Sequence, residues 1–241
     1  MIYLYYQEKE KGNKMKTYYM GIDTETANGF MSEDGKLDLS NSLVYDIGWQ
    51  IIDKKGKVYC TKSFVVAEIF LDPDLMKSAY FAEKVPQYWR DIKAGKRVLT
   101  SFYKVRQQFF SDRKRFNCKI VFAHNAYFDY NALNCTLRYL TGSKCRYFFP
   151  RKVELWDTLK MSRDVIGKTK NYSNFCQTNG YLTKHKTPQN RLTAEILWRY
   201  LSGNNDFLES HTGLEDVQIE SEIFIYCLKT HKKMRRRLFE R

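Results

Sequence analysis

An apolar stretch that ends in two acidic residues is the feature that most constrains the fold of this chain. The stretch Tyr18–Glu25 reads Tyr-Tyr-Met-Gly-Ile-Asp-Thr-Glu. It is short and rich in aromatic residues, which favours a strand from Thr17 to Asp23 over a helix. Side chains two residues apart lie on the same face of a strand, roughly 7 Å apart along it. Asp23 and Glu25 are therefore predicted to lie side by side at the end of a core strand, close enough to share a cation.

A third acidic residue, Asp129, follows another apolar run. Asp129 lies in His-Asn-Ala-Tyr-Phe-Asp, after the run 119–122 and one turn into a helix predicted from about 126 to 140. Asp129 shares the inward face of that helix with Leu133 and Leu137, and a carboxylate there is costly to bury unless it is paired or bound to a metal. A helix-start aspartate stabilised by the helix dipole is the other interpretation, and both stay open.

A third acidic context opens the last predicted helix. Thr212-Gly-Leu-Glu215 matches a capping box, which places the start of a helix at Thr212. Asp216 then lies in the first turns of that helix, and His211 lies just outside it on the same side. A lone histidine is more often structural or exposed than catalytic. His211 is therefore a catalytic candidate only because of the acidic residues near it.

The three contexts together indicate a metal site. Carboxylates that end core strands or open helices can converge on one point, and convergent carboxylates hold hard divalent cations. Each context is a weak signal by itself, because pairs such as Asp-x-Glu are common on exposed strand ends. The first hypothesis is a metal-dependent phosphodiester hydrolase.

The net charge indicates a polyanionic partner. The chain has 241 residues, with 41 Lys and Arg against 27 Asp and Glu, which makes a formal net charge of +14. A surface so basic attracts nucleic acid, and an anionic membrane surface is the competing partner. No apolar run approaches the ~20 residues of a spanning helix. The N-terminus also lacks the pattern of a signal peptide. We therefore expect no membrane partner and a cytoplasmic location.

The aromatic and cysteine residues indicate less about function than the acidic residues and the net charge do. The 18 Tyr, 16 Phe and 4 Trp residues could stack on bases, but filling the core is the favoured interpretation. The six cysteines form no Cys-x-x-Cys pair, so reduced and mostly buried thiols are expected rather than zinc or redox chemistry.

The order of the predicted elements indicates an α/β fold. Strands over 43–52 and 57–66 form a hairpin around the turn 53–56, and strands over 119–123 and 153–157 follow. Helices are expected over 74–93, interrupted near Pro86, and over 98–114, with helices and loops from 158 to 230. A hairpin followed by strands that alternate with helices predicts a mixed sheet of an antiparallel hairpin plus parallel strands, flanked by helices.

The chain divides into one domain and two end segments. We expect an N-terminal extension at 1–15, a single domain at 16–230 and a basic C-terminal tail at 231–241. The extension is either flexible or an additional strand. The polar, basic stretch 166–191 is either a solvated loop or a flap that grips the substrate backbone. The tail either grips phosphates or caps and solubilises the last helix.

The three contexts, in this order, resemble the motifs of the DEDD superfamily of 3′→5′ exonucleases, also called DnaQ-like. Gly-Ile-Asp-Thr-Glu-Thr at 21–26 is similar to the first motif, and residues 124–129 are similar to the second. His211-x4-Asp216 is similar to the histidine-containing DEDDh form of the third. The resemblance covers about Thr17 to Leu228, including Trp-Asp-Thr-Leu at 156–159. It departs at 27–29, which reads Ala-Asn-Gly where Thr-Gly is common, and in a long stretch from 158 to 210.

The resemblance implies a ribonuclease H-like fold and a two-metal reaction. Two Mg²⁺ or Mn²⁺ ions would be the cofactors. Asp23, Glu25 and Asp216 would hold one ion, and Asp23 with Asp129 the second. His211 would take the proton from the attacking water. The expected products are nucleoside 5′-monophosphates released from a nucleic-acid 3′ end.

The sequence constrains the substrate contacts and the class of substrate less than it constrains the metal site. Thr24, Asn125 and Phe128 are the candidate contacts to the terminal nucleotide, and core packing of Phe128 is the alternative. DNA is favoured over RNA because the sequence contains no separate RNA-binding module; the sugar 2′-hydroxyl is the chemical discriminator. RNA 3′-end trimming and a catalytically silent nucleic-acid-binding module are the alternatives. Proofreading beside a DNA polymerase or other replication partner, repair and degradation all stay open.

Overall fold

A computed structural model describes residues 16–27, 30–31, 37–38, 40–79 and 81–240. The predicted N-terminal extension at 1–15 and the residues 28–29 after the first motif lie outside these ranges. The five residues predicted to form the catalytic site, Asp23, Glu25, Asp129, His211 and Asp216, all lie within them.

A six-stranded sheet forms the middle of the fold. The strands are β1 (Tyr18–Ala27), β2 (Phe30–Met31), β3 (Leu37–Asp38), β4 (Leu43–Asp53), β5 (Val58–Val66), β6 (Val98–Thr100), β7 (Ile120–Ala123) and β8 (Glu154–Asp157). The large sheet has the order β6-β5-β4-β1-β7-β8, and β2 pairs with β3. The β1–β4 and β4–β5 pairs are antiparallel, whereas β5–β6, β1–β7 and β7–β8 are parallel. The predicted mixed sheet is confirmed.

Helices cover both faces of the sheet. They are α1 (Ala67–Phe70), α2 (Pro73–Met76), α3 (Val85–Lys93), α4 (Phe102–Arg115), α5 (Ala126–Thr141), α6 (Thr158–Val165), α7 (Lys170–Thr178), α8 (Ala194–Ser202) and α9 (Gly213–Lys229), with a 3₁₀ turn at Ala82–Lys84. Met20 and Ile22 of β1 share one buried cluster with side chains of α4 and α5. Tyr19 and Phe122 share the other with side chains of α6, α8 and α9. The alternation along β1 thus supplies a core on each face.

The predicted hairpin is confirmed, and its turn is held by an aspartate. β4 ends at Asp53, whose Oδ1 accepts hydrogen bonds from the amides of Lys55 at 2.8 Å and Lys57 at 3.1 Å. Gly56 has a φ of +90°, a conformation that glycine adopts without steric cost. All the residues of β4 are buried, which agrees with a strand in the interior of a covered sheet.

The first strand is longer than predicted. β1 pairs with β4 as far as Ala27, opposite Leu43, with an irregularity after Glu25. Asp23 and Glu25 therefore lie within a paired strand, not at its end. The prediction was wrong because β4 continues alongside and supplies hydrogen-bond partners beyond the apolar run.

The region between the hairpin and β7 also differs from the prediction. Residues 98–100 form the edge strand β6, and the helix begins only at Phe102, after Ser101 whose Oγ accepts from the Lys104 amide. The predicted helix over 74–93 is divided into α2, the 3₁₀ turn and α3. Pro86 lies in the first turn of α3, where its missing amide proton is not needed.

The later elements agree more closely with the sequence. The strand predicted over 119–123 is β7, and that over 153–157 is β8. The helix predicted from 126 to 140 is α5, which ends before Gly142 at a φ of +62°. The stretch 166–191 is not one loop, because α7 occupies residues 170–178. The segment 181–191 then doubles back, with Leu182 bridged to Asn190.

Part of the predicted C-terminal tail extends the sheet. The Asp157 amide donates to the Arg236 carbonyl at 2.7 Å, and the Leu238 amide donates to the Leu155 carbonyl at 2.8 Å. Trp156 and Arg237 form an antiparallel bridge between these bonds. Leu238 is buried in the core cluster of α4 and α5. The tail is therefore fixed along the outer edge of β8, while the domain bounds themselves stay a prediction.

Two composition-based expectations can be compared with the described residues. Within these ranges, no helix is long and apolar enough to cross a membrane. All six cysteines are free thiols: Cys118, Cys176 and Cys227 are buried and Cys145 is exposed. The expectation of mostly buried thiols therefore holds for half of them.

Candidate active site

The acidic pair of β1 lies where the sheet is open on one side. β7 pairs with β1 only as far as Gly21, so the portion of β1 that carries Asp23 and Glu25 has β4 on one side and no strand on the other within the described sheet. Side chains of the helices that follow β7 and β8 can approach β1 there. The topology thus creates a recess beside the two carboxylates.

Helix α5 brings Asp129 into this recess. Asp129 is 2% exposed, as its predicted place on the inward face requires. The Thr24 hydroxyl, on the strand between the two acids, donates to Asp129 Oδ1 at 2.8 Å. Thr24 is itself 4% exposed, so its hydroxyl positions Asp129. Contact between Thr24 and substrate stays a prediction.

Close packing brings the start of α9 against the same part of the sheet. A Cβ at Gly48 of β4 would collide with the carbonyl of Gly213, and a Cβ at Gly213 would lie 2.9 Å from the Asp23 carbonyl. Both positions thus require glycine for the helix to approach the strands. This contact brings Asp216, in the first turn of α9, next to β1.

Asp216 takes over part of the predicted capping box. Its carboxylate accepts from the Thr212 amide at 3.0 Å and from the Ser210 hydroxyl at 3.1 Å. The Thr212 hydroxyl donates to Glu215 Oε2 at 2.6 Å and makes no bond to a backbone amide of the helix. The helix starts where predicted, but the hydrogen bonds differ from those of a capping box. The Thr212 amide donates to Asp216, not to Glu215 as the box predicts.

The four carboxylates lie close enough to perturb one another. Burial raises the pKa of Asp23 well above its usual value, and repulsion from Asp129, Asp216 and Glu25 adds to the shift. Burial followed by repulsion from Asp216 also raises the pKa of Glu25, and burial raises the pKa values of Asp129 and Asp216. Ionised carboxylates this close need a positive charge among them.

A divalent cation fits this donor set. Glu25, His211 and Asp216 each offer a ligand atom, and these atoms lie within 4.8 Å of one another. Oxygen ligands from carboxylates are those that Mg²⁺ and Mn²⁺ prefer. The buried acids that repel one another would be stabilised by such an ion, so the site is suited to hard-metal binding.

His211 is held in an unusual conformation at the edge of the cluster. Its φ is +51°, in the left-handed region that few non-glycine residues adopt. Its ring stacks on Phe81, with centroids 4.1 Å apart and planes 9° apart, and its Nδ1 lies 4.0 Å from Glu209 Oε2. Partial burial lowers the pKa of His211, which favours a neutral imidazole at neutral pH.

Two further carboxylates belong to the cluster but were not predicted from the sequence. Glu220 is 3% exposed, accepts from the His124 amide at 3.1 Å, and contributes more than any other charge to the raised pKa of Asp23. Burial raises the pKa of Glu209 to about 8, with repulsion from Asp216 as the next cause. Glu220 lies four residues after Asp216, a spacing that places both on one helix face and could have revealed it. For Glu209, no signal was available.

A cavity of about 530 Å³ opens beside the cluster. It is lined by Glu209, Glu220 and His124 together with residues 183 and 189–191 of the doubled-back segment. Asn125 also lines it, with an exposed side chain and a left-handed φ of +61°. Phe128 is partly buried. Substrate contacts of Asn125 and Phe128 stay predictions.

Solved structures with this fold provide the comparison. A full-length 3′-exonuclease matches with a TM-score of 0.57 at 11% identity, covering 92% of this chain and 85% of its own. A 3′-exonuclease that recognises the 3′ end of a histone mRNA stem-loop matches with a TM-score of 0.56 at 13% identity. The match covers 95% of this chain and 69% of the exonuclease chain. This chain has the ribonuclease H-like fold of these exonucleases. The resemblance indicated by the sequence motifs is thus confirmed for the fold.

A more distant match has the same exonuclease-type fold. Cell-death related nuclease 4 has a TM-score of 0.51 at 10% identity, covering 90% of this chain and 65% of its own. No protein-family model matches the sequence, and a search of curated proteins finds no match. At identities this low, the likeness concerns the fold alone.

Proposed function

We propose that this protein is a DEDDh-type 3′→5′ exonuclease that hydrolyses nucleic acid with divalent metal ions. The observation that carries the proposal is the convergence of Asp23, Glu25, Asp129 and Asp216 with His211 in one recess of a ribonuclease H-like fold. The four acids come from three separate elements, and their burial is costly without a cation. The basic surface, with a formal net charge of +14, suits a polyanionic substrate.

The proposed roles of the residues are those that the resemblance to the DEDD exonucleases implies. Asp23, Glu25 and Asp216 would hold one Mg²⁺ or Mn²⁺, and Asp23 with Asp129 a second. Such a pair of ions, when bound, activates the attacking water and stabilises the leaving 3′ oxygen. His211 would accept the proton from the water through its neutral imidazole. Release of nucleoside 5′-monophosphates is the expected result.

Contacts within the protein hold these side chains in position. Thr24 holds Asp129 through its hydroxyl, and the Ser210 and Thr212 donors hold Asp216. The Phe81 ring supports the plane of His211. Such preorganisation matters because displaced catalytic groups lose much of their effect.

DNA is the substrate we favour, and RNA is the second candidate. One of the matching structures recognises the 3′ end of a histone mRNA stem-loop, which supports RNA. The preference for DNA rests on the sequence, which contains no separate RNA-binding module. A stand-alone enzyme and one that works beside a polymerase are both compatible with this site.

A single time course tests the activity, the polarity, the sugar and the metal. Single-stranded DNA and RNA of the same sequence, labelled at either end, are incubated with Mg²⁺, with Mn²⁺ or with excess chelator. We expect 5′-labelled strands to shorten one nucleotide at a time and 3′-labelled strands to lose their label at once. Undiminished release in excess chelator, or shortening from the 5′ end, would refute the proposal.

A further inference from the structure

A cleft of about 890 Å³ runs along the outer edge of β8, away from the cavity beside the acids. It lies between the segment 151–156 and the paired C-terminal segment 234–240. We call it the basic cleft and define it by Arg151, Lys152, Trp156, Arg236 and Phe239.

The tail wall of the basic cleft is fixed in place. Besides its backbone pairing with β8, the tail is bound at both ends. Arg235 makes a two-point contact with Asp164, each bond being 3.0 Å. Lys160 Nζ donates to the carbonyls of Leu238 at 2.6 Å and Glu240 at 2.9 Å. A ligand therefore meets a preformed cleft and does not have to order the tail.

The charge of the basic cleft is left available for a partner. The two acidic residues that line it are already engaged: Glu154 accepts from Arg237 at 2.8 Å, and Glu240 accepts from the amides of Arg236 at 3.0 Å and Arg237 at 3.2 Å. For the side chains of Arg151, Lys152 and Arg236, no acidic partner occurs among residues 16–240 that the structure describes.

Aromatic rings lie beside these positive groups. The Arg236 guanidinium lies over the Trp156 ring at 5.1 Å, and Phe239 is 68% exposed with its ring edge-on to Tyr130. An exposed aromatic ring among basic groups is the combination that binds single strands, because rings stack on bases while cations contact phosphates. An anionic membrane surface would need the charge but not the cleft.

The basic cleft and the cavity beside the acids are linked through one buried residue, Asp157. β8 ends at Asp157, whose amide is bonded to the Arg236 carbonyl. The carboxylate of the same residue accepts at 3.1 Å from the amide of Asn125, which lines the cavity beside the acids and precedes α5. Asp157 is thus hydrogen-bonded to one lining residue of the cleft and to one lining residue of the cavity.

We propose that the basic cleft binds the backbone of a single-stranded nucleic acid upstream of the 3′-terminal nucleotides. This inference rests on the proposed function, since it assumes that the 3′ end lies at the acid cluster. It assigns a role to the basic tail, whose arginines and lysines the catalytic site does not use.

The test measures binding without hydrolysis. In an Asp23→Ala background, the cleft variant replaces Arg151, Lys152 and Arg236 by Gln. The control variant replaces Lys93, Lys96 and Lys104 by Gln. These lysines are exposed and lie near β6, at the opposite edge of the sheet, and their replacement changes the charge equally. Affinity for a fluorescent 15-nucleotide strand is measured over a range of salt concentrations.

We expect the cleft variant alone to weaken binding. Each phosphate contact on a single strand contributes about 0.7 to the slope of log affinity against log salt, so the slope should fall by about 2. At ~0.1 M salt, the affinity should fall about tenfold to a hundredfold. Phe239→Ala, which removes only a stacking surface, should weaken binding about fivefold or more. A trinucleotide, which on this proposal occupies only the acid cluster, should bind all variants alike.

The inference is overturned if the cleft and control variants bind the long strand alike, whether both lose affinity or neither does. It is also overturned if anionic phosphatidylserine vesicles bind the parent but the long strand does not. Thermal unfolding checks that each variant is folded. With Asp23 restored, the cleft variant should release nucleotide from the trinucleotide at the parental rate. Absence of metal-dependent release from every substrate would instead count against the proposed function.

Discussion

Loss of Arg97 should destabilise the protein more than any surface substitution, because a buried charge network depends on it. The Arg97 side chain is 1% exposed and contacts Asp46 at 3.3 Å, Glu215 at 2.7 Å and Asp91 at 3.1 Å. The Asp46 side chain is fully buried, and its Oδ1 has no hydrogen-bond partner among the described residues. Burial raises the pKa of Asp46, and Arg97 is the largest influence that opposes this shift.

The same network holds the start of the catalytic helix. Asp46 Oδ2 also accepts from the Tyr88 hydroxyl at 2.6 Å and from the Gly213 amide at 2.9 Å. Gly213 is the first residue of α9, and Glu215 bonds to the Thr212 hydroxyl. A defect at Arg97 should therefore reach Asp216 and His211 as well as the overall stability.

The perturbation is Arg97→Met, which keeps the apolar stem and removes the charge. Breaking a buried ion pair by removal of one partner costs about 3–5 kcal/mol, because the other charge is left uncompensated. For a domain of this size, that corresponds to a fall in Tm of about 6–20 °C. Urea and thermal denaturation measure both quantities.

Two companion variants make the result specific. Arg90→Met, at an exposed position of α3, should change the stability by no more than about 0.5 kcal/mol. Asp46→Asn should restore part of the loss in Arg97→Met, since it removes the uncompensated charge. A cost below about 1 kcal/mol for Arg97→Met, the range of an exposed pair, would refute the reasoning, as would no rescue by Asp46→Asn.

Three other predictions test separate parts of the account. His211→Ala should slow nucleotide release about 10²–10⁴-fold in single-turnover assays while strand binding is kept, and an unchanged rate would exclude a general base at this position. Gly48→Ala should lower the unfolding free energy by about 1–3 kcal/mol in urea titrations, because its Cβ collides with the Gly213 carbonyl; full stability would show that α9 can move away. Arg235 lowers the pKa of Asp164, so this carboxylate stabilises the fold above its unfolded value of 3.8 and the contribution disappears as the pH falls toward the lowered value. Asp164→Asn should therefore be less stable than wild type at pH 7, with a difference that shrinks below about pH 4, and a constant difference would contradict the linkage.

The sequence alone predicted the elements whose signals are local. The apolar runs before Asp129 and at 153–157, the glycine after α5 and the turn at Gly56 each depend on a few neighbouring residues. The sequence also selected the four acids and His211 as candidates from local context, and their catalytic roles stay a prediction. That these residues lie near one another depends on the strand order, which the local sequence does not contain.

The features that the sequence could not predict depend on contacts between residues distant in the chain. The extension of β1 to Ala27 requires β4 alongside it, and β6 is a strand because β5 supplies its hydrogen bonds. The change of cap acceptor from Glu215 to Asp216 depends on Arg97, more than a hundred residues earlier, which engages Glu215. Pairing of the tail with β8 depends on backbone groups, which the sequence pattern does not reveal.

The most direct test of the central claim compares two single aspartate substitutions in the same assay. Asp23→Ala removes a carboxylate of the acid cluster, and Asp74→Ala removes one whose side chain is 88% exposed. Release of nucleoside 5′-monophosphate from a 3′-labelled strand is followed with Mg²⁺, and strand binding is measured separately. Asp23→Ala should abolish release with binding nearly intact, while Asp74→Ala should behave as wild type. Persistent release by Asp23→Ala would contradict the central claim.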